Sequence, residues 1–466
     1  MAGIAEFVLS PTFLILAPLL LVIGNVASFV LRTLRPKGFP PGPAVVPGLG
    51  NLSQIDKRFP FRSYGTWAGE FGRHTPLGIK KAANNVVVLN SGRLVRELFE
   101  KRGAVYSDRP WQYINNEWIL GKDLRLALFT NNTAWLTRWR REFSHIFDMA
   151  AITRFRPVYE AETARLLVKL VEAPQARRRD LEDILVCWIV SVPCLGLCGR
   201  RPDDLGDLDF NVKQFRFDQE QYLSLLTPGA GDVFPLLRYL PEAFGLAPWK
   251  EKARYHPDMQ KRARDEVLQV FAGAPPRPAD LAKLKFVEAF YNEAAAHAPS
   301  QDDVFEGHAI PKGTSVIANV WHIHHSADDY DDPDKFIPER FLAHPFGMRP
   351  DAAHDPARLE GSGPRLTYAF GAGRRICPGM DSARQSLVLG LAKVLWAFDV
   401  LPPDNGDEID LDIETGFISD LALRPRRFDV SLKLREGRTK EEILDHYHQA
   451  YEGQAEVMGW EGGLYR

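Results

Sequence analysis

The chain has 466 residues, of which 45% are hydrophobic, and a formal net charge of -2. This length and apolar content are sufficient for a sizeable buried core, and the balanced charge gives no indication of nucleic-acid binding. Four cysteines are too few for a disulfide framework. Three of them, Cys187, Cys194 and Cys198, share one apolar run without zinc-site spacing, which predicts buried structural thiols.

The first predicted element is an uncharged stretch from Pro11 to Leu31. A helix of this length, rising about 1.5 Å per residue, crosses a bilayer. Arg32, Arg35 and Lys37 follow it and no Lys or Arg precedes it, so the positive-inside rule places the rest of the chain in the cytoplasm. A cleaved signal peptide is the alternative, but it requires a basic n-region, and only Glu6 is charged there.

The segment from Gly38 to Pro43 is rich in proline and cannot continue a helix. We therefore predict a membrane anchor over residues 1–31, a stiff hinge over residues 32–51 and one large domain over residues 52–466. Early in that domain, Asn85 to Asn90 is a β-branched run typical of a strand, and Ser91 begins a capped helix pattern.

Later segments alternate between aromatic and β-branched patterns. Thr133 to His145 predicts a basic, aromatic helix, and Asp204 to Leu246 is rich in Phe, Tyr, Leu and Pro. Val304 to Gly307 and Ile310 to Trp321 are β-branched runs bounded by turn residues, which predicts a small sheet. His322, His324 and His325 follow this sheet, and we interpret them as structural residues more readily than as a metal site.

Around Cys377 the chain reads Phe370-Gly-Ala-Gly-Arg-Arg-Ile-Cys377-Pro-Gly379. The glycines indicate a backbone that approaches another group closely. A cysteine just ahead of a helix lies where N–H groups and the helix dipole stabilise a thiolate, which is a good axial ligand for haem iron. The helix pattern after it is so apolar that we expect it to be buried, on the basis of Leu387, Leu389, Leu391, Val394, Leu395 and Phe398.

This loop resembles the haem-thiolate signature of the cytochrome P450 family. Phe370, Gly373, Arg375, Cys377 and Gly379 match its fixed positions, and the alternative is a buried structural cysteine after a glycine-rich turn. The chain also resembles the family in its Pro-Glu-Arg-Phe block at residues 338–341, and other segments follow in family order over nearly the whole length. The similarity is to microsomal, fungal-type members.

The resemblance implies the P450 fold, mainly α with a small β subdomain (α+β), behind an N-terminal transmembrane helix. It implies haem b with Cys377 as the axial ligand and Arg375 paired with a propionate. Phe370 would pack at the thiolate face, while Gly371, Gly373 and Gly379 permit the tight turn and N–H···S contacts. By the same resemblance, the segment from Asp204 to Leu246 roofs a substrate pocket, although apolar core is an equal interpretation.

The family also uses a Trp and an Arg one turn apart to bind a haem propionate, because a guanidinium suits a carboxylate and indole N–H adds a donor. Trp135 is the matching tryptophan here, but four residues later stands Trp139, and Arg140 is one step late. The resemblance therefore assigns cofactor binding to Trp135 with Arg140, or with Arg138 or Arg141. A basic surface stripe is the alternative.

Two family features are missing. The long central helix over the haem has no place, because Arg254 runs straight into Tyr255, and the similar-looking Gly229 to Asp232 is interpreted as a loop. No distal catalytic residue is identified. The Glu-x-x-Arg pair lacks its Arg, with Ala296 at that position, so we expect Glu293 to pair with Arg340. Skipped coding blocks and decay of a family member are both consistent with these losses.

By resemblance the chain is a membrane-bound monooxygenase that oxidises an apolar small molecule with dioxygen. An NADPH-cytochrome P450 reductase-like flavoprotein would supply electrons and dock near Arg374 and Arg384, with the haem domain (52–466) on the cytoplasmic face of the endoplasmic reticulum. One alternative is a truncated or decayed P450 that binds haem weakly or not at all. A weaker alternative is a peroxide-using haem enzyme, for which no distal acid is identified.

Overall fold

A computed structural model of the protein describes residues 11–119, 131, 133–173, 178–199, 201, 230–239, 296–344, 346–353, 367–403, 409–419, 423–426 and 428–460. Helices predominate in these residues, and the strands are short. The α-helices are α1 (Pro11–Thr33), α2 (Pro60–Phe71), α3 (Gly92–Val95), α4 (Ala134–Phe147), α5 (Met149–Arg154), α6 (Arg156–Glu172), α7 (Arg178–Cys198), α8 (Ala230–Val233), α9 (Val320–His324), α10 (Arg340–Ala343), α11 (Pro350–Ala353), α12 (Met380–Ala397) and α13 (Lys440–Met458).

Four small sheets accompany these helices. Their strands are β1 (Leu77–Lys81), β2 (Asn84–Leu89), β3 (Asp303–Phe305), β4 (His308–Ile310), β5 (Ser315–Ala318), β6 (Phe398–Leu401), β7 (Phe417–Ser419), β8 (Leu423–Pro425) and β9 (Ser431–Leu434). The three-stranded sheet has the order β1-β2-β5, with β1 antiparallel and β5 parallel to β2. The other pairs, β3-β4, β6-β9 and β7-β8, are antiparallel. The strands expected near residues 304 and 315 are therefore present, but in two different sheets.

The sheet that contains β2 and the helix after it form the first core. Ser91 caps α3 by accepting a hydrogen bond from the Leu94 N–H at 3.4 Å, as the sequence predicts. The helix then continues as a π-helical turn over Arg96–Lys101. Apolar side chains of β2, α3 and this turn pack into one cluster together with Tyr368 and Ala372 of the cysteine loop.

Helix α1 exposes its apolar side chains along most of its length, among them Leu20 and Leu21. Within the described residues it is the one helix long and apolar enough to cross a bilayer. The segment after it is fixed to the sheet and does not form a free linker. Arg35 donates hydrogen bonds to the carbonyls of Pro43 at 2.9 Å and Gly78 at 3.0 Å, and the Gly78 N–H donates to Pro41 at 2.7 Å.

A second core lies where α6, α7, α12 and α13 meet β6 and β9. At its edge, Arg201 forms a buried ion pair with Glu162 at 2.7 Å, and Gln454 hydrogen-bonds to both of these side chains. On the other side, Lys393 of α12 forms an ion pair with Glu160 of α6 at 2.6 Å. The C-terminal helix α13 is therefore integrated into the bundle.

The expectation that the helix after the cysteine is buried is wrong for much of its surface. In α12, Leu387 is 52% exposed and Leu391 is 62% exposed, and Val388 and Leu395 are also exposed. The buried positions of α12 are small residues that face α6 and α7, where the Trp188 ring lies against Gly390. Apolar composition predicted burial, but among the described residues the helix packs on one side and exposes its other face.

The interpretation of Gly229 to Asp232 as a loop is also corrected, because Ala230–Val233 forms one helical turn. Asp232 accepts a hydrogen bond from the Ile114 N–H at 3.0 Å, which gives it a structural contact. Most of the aromatic segment at 204–246 lies outside the described residues, as do residues 254 and 255 and Glu293. The expected pair of Glu293 with Arg340 is thus untested.

Arg340 has a local role in the described residues. Its guanidinium donates hydrogen bonds to the carbonyls of Asp331 at 2.6 Å, Asp332 at 3.1 Å and Lys335 at 3.2 Å. A planar cation that binds several carbonyls closes the loop ahead of α10. Phe336 at the tip of this loop is 95% exposed.

Candidate cofactor site

The loop from Tyr368 to Gly379 connects the first core to α12. Gly371 and Gly373 have positive φ values of 76° and 62°, a region that suits glycine. The Gly371 N–H donates to the Tyr368 carbonyl and the Cys377 N–H to the Phe370 carbonyl, each at 2.9 Å. These bonds fold the loop into a compact turn that ends at the cysteine.

Close packing also requires glycine at position 373. A Cβ atom there would lie 1.8 Å from the carbonyl oxygen of Phe99, in the π-helical turn. At Gly371 the nearest atom to such a Cβ would be the Arg375 carbonyl oxygen at 3.8 Å, which is an ordinary contact. The sequence expectation of a close backbone approach is therefore met at Gly373.

Cys377 is half-buried, and its thiol is free of disulfide bonding. Burial raises the pKa of the Cys377 thiol, while a hydrogen bond from the Gly379 backbone and the charge of Arg140 act in the opposite direction. In the protein alone, burial outweighs the stabilisation of the thiolate that the sequence pattern predicts. A cation at the sulfur would reverse this balance, because metal binding stabilises the thiolate form.

Several cationic side chains converge on this loop. Arg140 of α4 donates a hydrogen bond to the Ile376 carbonyl, next to the cysteine. Burial and the charge of Arg140 lower the pKa of Arg375 to about 10, and Asp108 partly offsets them. Burial, followed by the charges of Arg375 and Arg140, holds the pKa of Arg109 well below its ordinary value.

His297 borders this cationic cluster, which we define as Arg109, Arg140 and Arg375. Its Nδ1–H donates to the Tyr106 carbonyl at 2.8 Å, and its ring stacks on Phe99 with the ring centroids 3.8 Å apart. Burial and the charge of Arg109 are the main causes that keep the pKa of His297 well below its ordinary value. A concentration of buried positive charge is characteristic of a site for an anionic group.

Sequence reasoning placed Arg140 and Arg375 in this site but missed Arg109 and His297. The Asp108 carbonyl accepts a hydrogen bond from the Ala298 N–H at 2.8 Å, so these two segments meet across nearly 200 residues of chain. In the sequence, no periodicity marks His297 and no motif singles out Arg109.

Trp135, half-buried in α4, stacks on Trp139 with ring centroids 6.2 Å apart. Arg138, on the other hand, is exposed. Of the three arginines that the sequence left open, the structure therefore brings Arg140 to the cysteine loop. The role of Trp135 in binding a propionate stays a prediction.

These residues fit a haem group by their chemistry. Cys377 offers one sulfur at the end of a rigid turn, and the cationic cluster beside it would balance two carboxylates. Burial first, and then mutual repulsion, lower the pKa values of Arg109 and Arg375, and bound anions would offset both effects. In the described residues, no group of three His, Cys, Asp or Glu side chains forms an alternative metal site.

Comparisons with known proteins identify the family of the chain. The family model Cytochrome P450 matches residues 254–432. The cytochrome P450 monooxygenase grgG of a Penicillium species is 52% identical over the full length of both chains. A cytochrome P450 monooxygenase of Armillaria gallica is 26% identical, covering 94% of this chain and 96% of its own. FogE of Aspergillus ruber, another cytochrome P450 monooxygenase, is 26% identical over 78% of this chain.

A haem-thiolate enzyme is the class that the cysteine loop and these relatives define. The chain belongs to the cytochrome P450 monooxygenase family and is by family an oxidoreductase. The alignment with grgG has 559 positions, whereas this chain has 466 residues, so at least 93 positions hold residues of the relative alone. Since the alignment covers both chains completely, these positions are internal.

Proposed function

We propose that this P450 binds haem b through Cys377 and oxidises an apolar small molecule with dioxygen and electrons from a flavoprotein reductase. The observation that carries the proposal is the juxtaposition of a glycine-rich cysteine turn with the cationic cluster. The naming of the relatives as monooxygenases favours this function over a decayed, non-catalytic chain. A haem-thiolate centre supplies the activation of dioxygen when it is bound.

Several side chains and backbone groups of the chain would hold the cofactor. Cys377 would ligate the iron, with the Gly379 N–H directed at its sulfur. Arg375, Arg140 and Trp135 would bind the haem propionates. We propose that Arg109 and His297 also contribute to propionate binding. Phe370, which is half-buried, would limit water at the thiolate face. Gly371 and Gly373 would keep the turn narrow.

No residue is assigned to proton delivery on the substrate side. The sequence lacks the central helix that would carry it, and the 93 or more unmatched alignment positions support the loss of internal blocks. The exposed apolar face of α12 is further support, because a bundle helix with neighbours on one side has space for another element. We therefore expect weak turnover even where haem binding is intact.

We also propose that α1 anchors the protein in the endoplasmic reticulum membrane, with residues 52–466 as a cytoplasmic haem domain. The exposed apolar side chains of α1 and the arginines after it support this arrangement. The hinge at 32–51, fixed to β1 through Arg35, would hold the domain at a defined angle to the membrane.

Electron transfer would require a docking face for the reductase. Arg374 and Arg384 lie on either side of Cys377 in the chain, and both are exposed. Positive charges there would attract an acidic flavoprotein surface. Reversing both charges should slow reduction by at least about tenfold at low salt. Unchanged reduction rates would refute this docking face.

The test of the proposed function is the reduced-plus-CO difference spectrum of the full chain. We expect the red-shifted Soret band of a thiolate-ligated haem, and we expect Cys377→Ser to abolish it. Cys187→Ser in α7, which alters another half-buried cysteine outside any disulfide, is the matched control and should keep the band. An unshifted band or no haem in the unaltered protein would overturn the proposal.

A further inference from the structure

Helix α9 brings His324 to the start of the cysteine loop, although the two are 44 residues apart in the chain. The Tyr368 N–H donates a hydrogen bond to Nε2 of His324 at 3.0 Å. Tyr368 is buried, and its own carbonyl accepts the Gly371 N–H that begins the turn. The contact with His324 is therefore made at the first residue of the loop, Tyr368.

The position of α9 is itself fixed. Its N-cap residue, Asn319, is buried and donates hydrogen bonds to the Phe61 carbonyl at 3.1 Å and to Asn90 Oδ1 at 2.9 Å. The Asn319 backbone N–H also bonds to Leu89 at the end of β2. His324 is thus attached to the three-stranded sheet and can transmit that rigidity to the loop.

The hydrogen bonds determine the tautomer of His324. Since Nε2 accepts a backbone N–H, it carries no proton, and the neutral ring must be protonated at Nδ1. Nδ1 lies 3.4 Å from the hydroxyl of Tyr330, which can accept a hydrogen bond from the Nδ1–H group. Burial and the charge of His325 lower the pKa of His324 to about 4, so the ring is neutral under physiological conditions.

We infer that His324 is a positioning residue that fixes the start of the haem-binding loop through its unprotonated Nε2. The inference rests on the proposed haem function for its biological meaning, but the contact exists in the protein without a cofactor. The competing explanation is that the ring of His324 only fills space between Tyr330 and Tyr368.

Three variants separate these explanations. His324→Gln places an amide oxygen near the position of Nε2 and retains the acceptor. His324→Phe retains a ring of similar shape and loses the acceptor. His325→Gln is the matched control, because His325 stacks on Trp321 with ring centroids 3.6 Å apart and bonds to the carbonyl of that residue. If His324 positions the loop, the Gln variant should keep the loop more ordered than the Phe variant. If His324 only fills space, the Phe variant should keep the loop more ordered.

The experiment is hydrogen–deuterium exchange of the full chain in detergent without haem, followed in peptides that cover residues 367–377. A buried N–H left without its acceptor should exchange at least about tenfold faster in His324→Phe. His324→Gln and His325→Gln should stay within about threefold of the unaltered protein. Exchange in His324→Phe that equals the unaltered protein, or that is slower than in His324→Gln, would overturn the inference.

If His324→Phe fails to fold, His324→Asn takes its place. Its amide ends one bond short of the position of Nε2, so the variant should show the same acceleration of amide exchange. The CO difference spectra of these variants provide a second readout, with a larger unshifted band expected for Phe than for Gln. Absence of the thiolate band in the unaltered protein would refute the haem proposal alone. The exchange order would still decide the role of His324.

Discussion

The two structures that flank the cysteine loop bury their apolar side chains to very different extents. On the first side, Val87 and Leu89 of β2 are fully buried in the cluster that includes α3, and Val88 is fully buried in the cluster that includes Tyr64 and Trp67. On the second side, Leu387 and Leu391 of α12 are more than half exposed, although both elements are similarly apolar. The sequences of β2 and α12 are both hydrophobic. Their burial differs because, in the described residues, neighbouring elements cover β2 but leave one face of α12 exposed.

This contrast indicates which part of the site is complete. The side that holds the cysteine turn and the cationic cluster rests on a buried core, which supports the cofactor site proposed there. Within the described residues the other side has an exposed helix face, and at least 93 positions of the alignment with grgG hold residues of the relative alone. We therefore expect substitutions on the first side to be costly and those on the open face to be mild.

The largest effect is expected for Gly373→Ala, on the closed side. The added Cβ would overlap the Phe99 carbonyl oxygen, and φ is also positive, so the backbone must move. Unfolding in urea should show a loss of at least about 3 kcal/mol. Gly371→Ala has the same positive φ without the overlap and should cost about 1 kcal/mol. Equal losses for the two variants would show that the loop is not packed against the π-helical turn.

The second prediction concerns pH. The pKa of His324 falls to about 4 on folding, so between pH 6.5 and 4 the unfolded chain binds a proton that the folded protein excludes. Stability should therefore fall by about 2 kcal/mol from pH 7.5 to pH 5 through this residue. Of the groups around it, His325 strengthens the effect, Asp329 opposes it, and Tyr330 and Tyr368 contact the ring.

Urea unfolding at several pH values checks this prediction. His324→Gln should remove about 2 kcal/mol of the pH-dependent loss. A residual slope of the same sign is expected from His297, whose pKa is also lowered by burial. A slope in His324→Gln identical to that of the unaltered protein would contradict the assignment of a buried neutral ring.

A third, smaller effect is expected within the cationic cluster. Arg140→Gln removes a charge that lies beside the cysteine loop, and haem affinity should fall about tenfold, equivalent to about 1.4 kcal/mol. Arg138→Gln removes the same charge from an exposed position of the same helix and is the matched control. Haem titration of both variants gives the comparison, and equal losses would mean that only overall charge matters.

The smallest effect tests the open face directly. Leu391→Ala in α12 should change the free energy of unfolding by less than about 0.5 kcal/mol, because the side chain already faces solvent. Leu167→Ala in the buried core between α6 and β6 should cost about 2–5 kcal/mol. A large loss for Leu391→Ala would reveal a partner for this face and abolish the contrast between the two sides.

Much of the local structure follows from sequence patterns. Ser91 caps its helix, residues 84–89 form a strand, and the turn around Cys377 uses glycines at positive φ, as expected. These features depend on contacts within a few residues, so a local pattern is sufficient to predict them. The interpretation of Gly229 to Asp232 failed because a single helical turn there is stabilised from outside, by the contact of Asp232 with Ile114.

The sequence alone determined the family and the cysteine that defines it, because the loop signature is a local arrangement of glycines, arginine and thiol. Tertiary structure decided which distant side chains reach that loop or its neighbours. Arg109, His297 and His324 are brought to it by strand pairing and helix packing between distant segments. It also decided that one apolar face of α12 is exposed. The physical reason is that hydrophobicity and charge describe what a residue can contact, whereas burial requires a neighbour at a specific place in space.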